Sequence, residues 1–129
     1  MNGLVKKLLV GEIVVEIVYI DRNKFLRDMV EYSIRQDGGT VFTLDALAGQ
    51  SAIINDLTPV LAVIDLKFDD VALSNELPLL SIPLIAIGES SDQEKFNQFS
   101  KYFVSFEAKP LSPLHLRQRW LSLKDKQHG

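Results

Sequence analysis

The sequence predicts an α/β protein in which helices cover both faces of a five-stranded parallel sheet. Residues 17–20, 60–64 and 84–87 are apolar almost without interruption. Strands that are buried on both faces have this composition, whereas a half-exposed antiparallel strand alternates apolar and polar residues. Segments with helical periodicity separate these runs, and alternating strands and helices are typical of a doubly wound parallel sheet.

The first strand leads into a predicted helix between Asn23 and Gln36, where apolar residues recur three or four positions apart. This apolar stripe consists of Phe25, Leu26, Met29, Val30 and Ile34. Two glycines, at positions 38 and 39, end the helix. A weaker second strand spans residues 40–44, and Asp45 is expected to cap a second helix. The apolar residues of that second helix are Leu47, Ile54 and Leu57.

The crossover after the third strand is poorly marked. Pro78 and Pro83 leave room for at most one short helix, near residues 71–77, before the fourth strand. The third helix is therefore predicted to be shortened.

The last two helices have clearer start signals. Ser91-Asp92-Gln93-Glu94 fits a capping box, and Phe96 and Phe99 follow it. A weak fifth strand spans residues 103–106. The last helix opens at Ser112-Pro113, since proline suits the first helical position. Its apolar residues are Leu116, Trp120 and Leu123.

Composition bounds the class of protein. The 129 residues, 47% hydrophobic and 24% charged, suit one domain with a substantial core. The chain has no cysteine, which excludes disulfides and zinc–thiolate sites, and its two histidines are too few for a His-rich metal site. A formal net charge of −3 gives no electrostatic footprint for nucleic acid. Residues 8–20 contain two glutamates and are too short to span a membrane.

We predict three segments. An N-terminal extension over residues 1–15 leads into the first strand, one domain spans residues 16–124, and residues 125–129 form a tail. The first dozen residues form either an additional helix or strand, or an extension that packs on a partner.

Charged residues follow the strands at one edge of the predicted sheet. Asp21 comes after the first strand, Asp65 after the third, Gly88 after the fourth and Lys109 just after the fifth. Ligands of open α/β sheets bind beyond the carboxyl ends of the strands. We therefore expect the two acids and the lysine to form the functional site.

These strand ends resemble the receiver domains of two-component response regulators. The matching segments are residues 17–23, 61–66, 82–88 and 106–110, and the resemblance extends over roughly residues 16–123. It implies a flavodoxin-like strand order of 2-1-3-4-5. It also implies that a histidine kinase supplies a phosphoryl group to Asp65, that Asp21 and Asp65 hold Mg²⁺, and that Lys109 pairs with a phosphoryl oxygen. The cations would offset the repulsion between the carboxylate and the phosphoryl group.

Four departures separate the sequence from this pattern. Arg22 stands where receivers have a second acid, and a permanent cation there replaces a metal ligand. Gly88 replaces the threonine or serine whose hydroxyl follows the phosphoryl group, and Phe106, at the aromatic switch position, has no hydroxyl. Residues 67–70 replace the usual stretch after the acceptor, where Asp69 and Asp70 would be either replacement metal ligands or a solvated loop.

We interpret the chain as a cytoplasmic, degenerate receiver that signals through protein contacts and is not an enzyme. Arg22 would take the place of the metal, Asp65 would form a static ion pair with Arg22 or Lys109, and Asp21 would either support a metal or cap the first helix. Mg²⁺ would bind only if the site is active. One alternative is a working phosphoacceptor at Asp65, and another is a small flavodoxin-like ligand-binding domain.

A partner protein or a second copy is expected on the face formed by the fourth helix, fifth strand and fifth helix. The candidate surface residues are Phe99, Tyr102, Phe106 and Trp120. His115, in the last helix, has no acidic neighbour in sequence and is expected at the surface or at this interface.

Overall fold

The structure is a computed structural model, and it describes residues 14–128. Nearly all of the predicted N-terminal extension therefore lies outside the described residues. The five strands are β1 Ile17–Ile20, β2 Val41–Leu44, β3 Leu61–Asp65, β4 Leu84–Gly88 and β5 Ser105–Ala108. The helices are α1 Lys24–Gln36, α2 Ser51–Leu57, α3 Asp70–Glu76, α4 Gln93–Phe99 and α5 Pro113–His128.

All the paired strands are parallel, in the order β2-β1-β3-β4-β5. This confirms the predicted doubly wound sheet and its strand order. The sequence places the fifth strand at residues 103–106, and the structure places it at Ser105–Ala108. The shortened third helix is also confirmed, because α3 gives way at Leu77–Leu79 to a single 3-10 turn that contains Pro78.

The sheet separates two apolar layers, which is why the central strands lack polar residues. One layer includes the inward faces of α2 and α3, with Ile54 and Leu73 fully buried. The other includes α1 and α5, with Ile34 and Trp120 buried. Gly39 lies where these two helices meet, since a Cβ there would stand 2.8 Å from the Trp120 ring.

The first helix begins as predicted, but two expected capping residues are wrong. Asp21 does not cap α1, because the side chain of Asn23 accepts the Leu26 N–H at 3.1 Å and forms the N-cap. Asp45 does not cap α2, because that helix begins at Ser51.

The capping box before α4 lies earlier than predicted. It joins Glu89 and Asp92 around a 3-10 turn rather than Ser91 and Glu94, and α4 begins only at Gln93. The start of α5 at Pro113 is confirmed, and the helix continues to His128, past the predicted boundary at residue 124. The division into domain and tail stays a prediction.

Candidate functional site

The structure brings Asp21, Asp65 and Lys109 together at the carboxyl edge of the sheet. Asp21 follows β1, Asp65 ends the adjacent β3, and Lys109 reaches across from the end of β5. The Lys109 Nζ atom lies 2.8 Å from Asp65 Oδ2 and 3.5 Å from Asp21 Oδ2. Both carboxylates are almost completely buried, and only 14% of the Lys109 side chain is exposed. A single buried cation therefore serves two buried anions.

Asp21 is held by two further donors. The hydroxyl of Tyr19 donates to Asp21 Oδ2 at 2.9 Å, and the backbone N–H of Asn23 donates to Oδ1 at 2.9 Å. Tyr19 and Asp21 share a face of the chain because side chains two positions apart in a strand point the same way. Burial, together with the neighbouring Asp21 carboxylate, raises the pKa of Tyr19 well above its usual range. The phenol therefore remains a donor.

Asp65 also accepts one donor on each oxygen. The backbone N–H of Lys67 donates to Oδ1 at 3.0 Å, and Lys109 donates to Oδ2. Burial raises the pKa of Asp65, and the Asp21 carboxylate adds to this increase, while the contacts with Lys109 and Lys67 oppose it. All four carboxylate oxygens of the pair thus have a hydrogen-bond or ion-pair partner.

Arg22 points away from this pair. Its side chain is exposed, and the guanidinium carbon lies 5.4 Å from the centre of the Phe68 ring, within the range of a cation–π contact. The contact joins the loop after β1 to the loop after β3. The ion pairs that the structure records for the two aspartates come from Lys109.

The space beside Gly88 is filled by Asp92, a buried residue that sequence reasoning did not place in the site. A Cβ at Gly88 would lie 2.8 Å from Asp92 Oδ2 and 3.2 Å from the Phe106 ring. Asp92 accepts the Glu89 N–H at 2.8 Å and the Lys67 ammonium at 3.2 Å. Burial alone would raise the pKa of Asp92, but these two donors outweigh it and hold the pKa below its usual range.

Phe106 is half-buried on β5, where its ring stacks on Phe96 of α4 with centroids 5.0 Å apart. A cavity of about 260 Å³ opens beside it. Its walls are Gly88, Glu89, Ser90, Gln93, Phe106 and Ala108. A second cavity, of about 390 Å³, is lined by residues at the amino end of β2, away from the acidic site.

Asp69 and Asp70, which follow β3, hold α3 in place through their side-chain contacts. Asp69 caps this helix by accepting the Ala72 N–H at 2.8 Å, and Asp70 pairs with Lys95 of α4 at 3.4 Å. Within residues 14–128, no group of three or more His, Cys, Asp or Glu side chains is arranged to hold a metal ion.

The candidate partner-binding residues divide between core and surface. Phe99 and Trp120 are buried, whereas Tyr102 and Phe106 are half-buried. An exposed apolar side chain next to β5 is Val104, whereas Leu114 and Leu121 of α5 lie on the helix stripe of Arg117, which pairs with Asp37 at the end of α1. His115 is exposed, as expected, and the fold gives it the acidic neighbour that the local sequence lacks, because its Nε2 lies 3.3 Å from Glu107 on β5. No helix in the described part of the chain has the length and apolarity needed to cross a membrane.

Comparison with family models and with curated proteins finds no match. Solved structures do match. A response regulator from Desulfuromonas acetoxidans superposes with a TM-score of 0.71 at 19% identity, over 86% of this chain and 97% of that one. A CheY-like receiver domain protein from Methanospirillum hungatei JF-1 gives 0.71 at 18% identity, over 91% and 100%. The C-terminal part of RcsC from E. coli, containing a linker region and a phosphoreceiver domain, gives 0.73 at 14% identity, over 87% and 46%. The chain therefore has the receiver fold.

Proposed function

We propose that this protein is a receiver-like signalling domain whose phosphorylation site is degenerate and which acts through protein–protein contacts. The proposal rests on the hydrogen bonds and ion pairs that the carboxylates of Asp21 and Asp65 already make. Each of their four oxygens already takes a hydrogen bond or ion pair from Tyr19, Asn23, Lys67 or Lys109. A metal would have to share these oxygens with their present donors and bind beside the Lys109 ammonium, whose positive charge repels it.

The acidic pair suits Mg²⁺ poorly. One or two carboxylates with waters can hold this ion in near-octahedral oxygen coordination, but Lys109 already places a cation against both carboxylates. Arg22 supplies no oxygen from its side chain, and Asp69 is engaged in capping α3. Phosphoryl transfer through a bound metal is therefore not part of the proposed function. In the proposed function, the cluster around Lys109 fixes one conformation of the loops after β1, β3 and β5.

The partner would bind at the face formed by α4, β5 and α5. Val104, an apolar side chain just before β5 that is more than half exposed, supports this assignment. Sedimentation velocity over a range of concentrations tests whether the partner is a second copy. Val104→Asp, which puts a charge on this surface, is expected to abolish self-association or binding to a partner protein, while Phe25→Asp on α1 leaves it unchanged.

Amide proton–nitrogen NMR spectra test the degenerate site directly. Spectra are recorded without additions, with Mg²⁺, and with Mg²⁺ plus beryllofluoride, an analogue of a phosphoryl group. We expect the resonances of Asp21, Asp65, Gly88 and Lys109 to stay unchanged. Shifts at these residues that spread to Phe106 would overturn the proposal and support the alternative, a working phosphoacceptor at Asp65.

Arg22→Asp is the matched variant for this experiment. It removes the cation and restores two adjacent acids after β1. A response to Mg²⁺ in Arg22→Asp, but not in the natural sequence, assigns the loss of the metal site to position 22. A response of the same size in both proteins contradicts that assignment.

A further inference from the structure

The cavity at the amino end of β2 lies at the edge of the sheet opposite the acidic site, and the proposed function does not use it. Its volume is about 390 Å³, which is within the range of pockets that hold small ligands or several side chains. Among the described residues, its walls are Val15, Arg35, Gly38, Gly39, Thr40 and Val41.

The polar side chains on these walls already have partners. The guanidinium of Arg35 pairs with Glu31 at 2.8 Å, and the hydroxyl of Thr40 donates to the carbonyl oxygen of Val14. The other described wall residues are valines and glycines. A buried polar ligand needs hydrogen-bond partners of its own. The cavity therefore suits apolar side chains better than a charged ligand.

The chain enters the first strand at the rim of this cavity. Val14, whose carbonyl oxygen is held by Thr40, is 68% exposed, and the next residue, Val15, is one of the walls. The N–H of Glu16 donates to the Thr40 carbonyl oxygen at 3.2 Å and fixes this entry point. Residues 1–13 are therefore joined to the rim itself, and a segment of that length spans at most about 45 Å, enough to cover the cavity.

The composition of residues 1–13 matches such a site. Three of the thirteen are charged, Lys6, Lys7 and Glu12. Seven are apolar, namely Met1, Leu4, Val5, Leu8, Leu9, Val10 and Ile13. Leaving that much apolar surface in water is unfavourable.

We propose that residues 1–13 pack against the cavity at the amino end of β2 of the same chain and bury apolar side chains there. The direct connection through Val14 gives the segment a high effective concentration at this site, which favours its own chain over a second copy. The proposal goes beyond the proposed function, because it concerns the opposite edge of the sheet and leaves the acidic cluster free.

A spin label tests this position directly. The chain has no cysteine, so Asn2→Cys provides a single attachment point for a nitroxide. Broadening of amide NMR signals is expected to be strongest at Gly38, Thr40 and Val41, and weak at Ala108 at the far corner of the sheet. A mixture of labelled protein without nitrogen-15 and unlabelled protein with nitrogen-15 detects docking between copies, and no broadening is expected there.

Paired substitutions in the full chain test whether apolar packing holds the segment. Leu8→Asp combined with Leu9→Asp is expected to remove the preferential broadening. It is also expected to lower hydrogen-exchange protection of Thr40 and Val41 by about tenfold, since burial of one apolar side chain contributes at least that factor. The matched control, Lys6→Ser combined with Lys7→Ser, is expected to retain the broadening and the protection.

Three results would overturn the proposal. Broadening of equal strength at Val41 and Ala108 would show that the segment does not pack at the cavity. Broadening that survives Leu8→Asp with Leu9→Asp would exclude apolar packing as its cause. Broadening in the mixed sample would assign the cavity to a second copy. The Mg²⁺ and beryllofluoride titration reports on the opposite edge of the sheet, so failure of the degenerate site and failure of this proposal are separate outcomes.

Discussion

Removing the cation at Lys109 tests how much its buried ion pairs with Asp21 and Asp65 contribute to the free energy of unfolding. Lys109→Met keeps most of the aliphatic stem and leaves Asp21 and Asp65 buried without their shared ion pair. Breaking a buried pair by removing one partner costs about 3–5 kcal/mol. Since this lysine side chain is only 14% exposed, and those of its two partners 1% and 3%, solvent cannot replace it. We expect a loss of that size in the free energy of unfolding.

The loss is large for a domain of this length. Domains are stabilised by about 5–15 kcal/mol in total, and the melting temperature is expected to fall by about 10–15 °C. Urea unfolding followed by circular dichroism measures the difference at neutral pH. The matched control is Lys24→Met, whose ion pair with Asp28 on α1 is solvent-exposed. That variant is expected to lie within about 0.5 kcal/mol of the natural protein.

The pH dependence gives the sharper result. The pKa of Asp65 is already raised in the folded protein by burial, and Lys109→Met removes a contact that lowers it. The folded variant then binds a proton at a higher pH than the unfolded chain does. Asp65 therefore destabilises the folded variant most at neutral pH, and this contribution shrinks as the pH falls through the raised folded pKa towards the ordinary aspartate value. A destabilisation below about 1 kcal/mol, or one that does not shrink on acidification, refutes the reasoning.

Two further substitutions test neighbouring contacts. Gly88→Ala is expected to lower the free energy of unfolding by about 1–3 kcal/mol, because its Cβ would lie 2.8 Å from Asp92 Oδ2. Urea unfolding should show a smaller loss when the same substitution is made in an Asp92→Ala background. Equal losses in the two backgrounds would contradict a clash with Asp92. Tyr19→Phe removes a donor from the buried Asp21 carboxylate and is expected to cost about 1–3 kcal/mol. The exposed Tyr32→Phe is its control in the same assay, and equal melting temperatures would exclude a role for the Tyr19 hydroxyl.

The fold was accessible from the sequence because burial on both faces removes polar residues from strands. That rule identified β1, β3 and β4 directly, and the same argument placed Asp21, Asp65 and Lys109 at one edge. Parallel strands end together at the same edge of a sheet, so residues far apart in sequence become neighbours there.

Helix starts were less accessible, because several polar residues near each start can accept the same backbone donors. Asp21 and Asn23 are both suited to capping, and the structure uses Asn23 as the cap while Asp21 accepts the Asn23 N–H. The contact between His115 and Glu107 could not be read from local sequence either, since it joins α5 to β5.

Asp92 and Tyr19 were missed for different reasons. Tyr19 had a usable signal, because it lies in the strand two residues before Asp21, and extended backbone places side chains two positions apart on one face. The clue to Asp92 was the absence of a side chain at Gly88, which leaves room for a neighbour but does not identify it. Only the turn at Ser90–Asp92 brings that carboxylate back to the strand end.

The departures from the receiver pattern come with compensating contacts, which argues for a maintained structure rather than decay of the site. Gly88 has no side chain, and Asp92 fills its space with both carboxylate oxygens hydrogen-bonded. The Arg22 guanidinium also has a partner, because it lies over the ring of Phe68. A site that had merely lost its chemistry would leave buried polar groups unpaired, at a cost of about 1–3 kcal/mol each. Since the carboxylates at this edge are paired, the cluster is suited to holding the loops in one conformation.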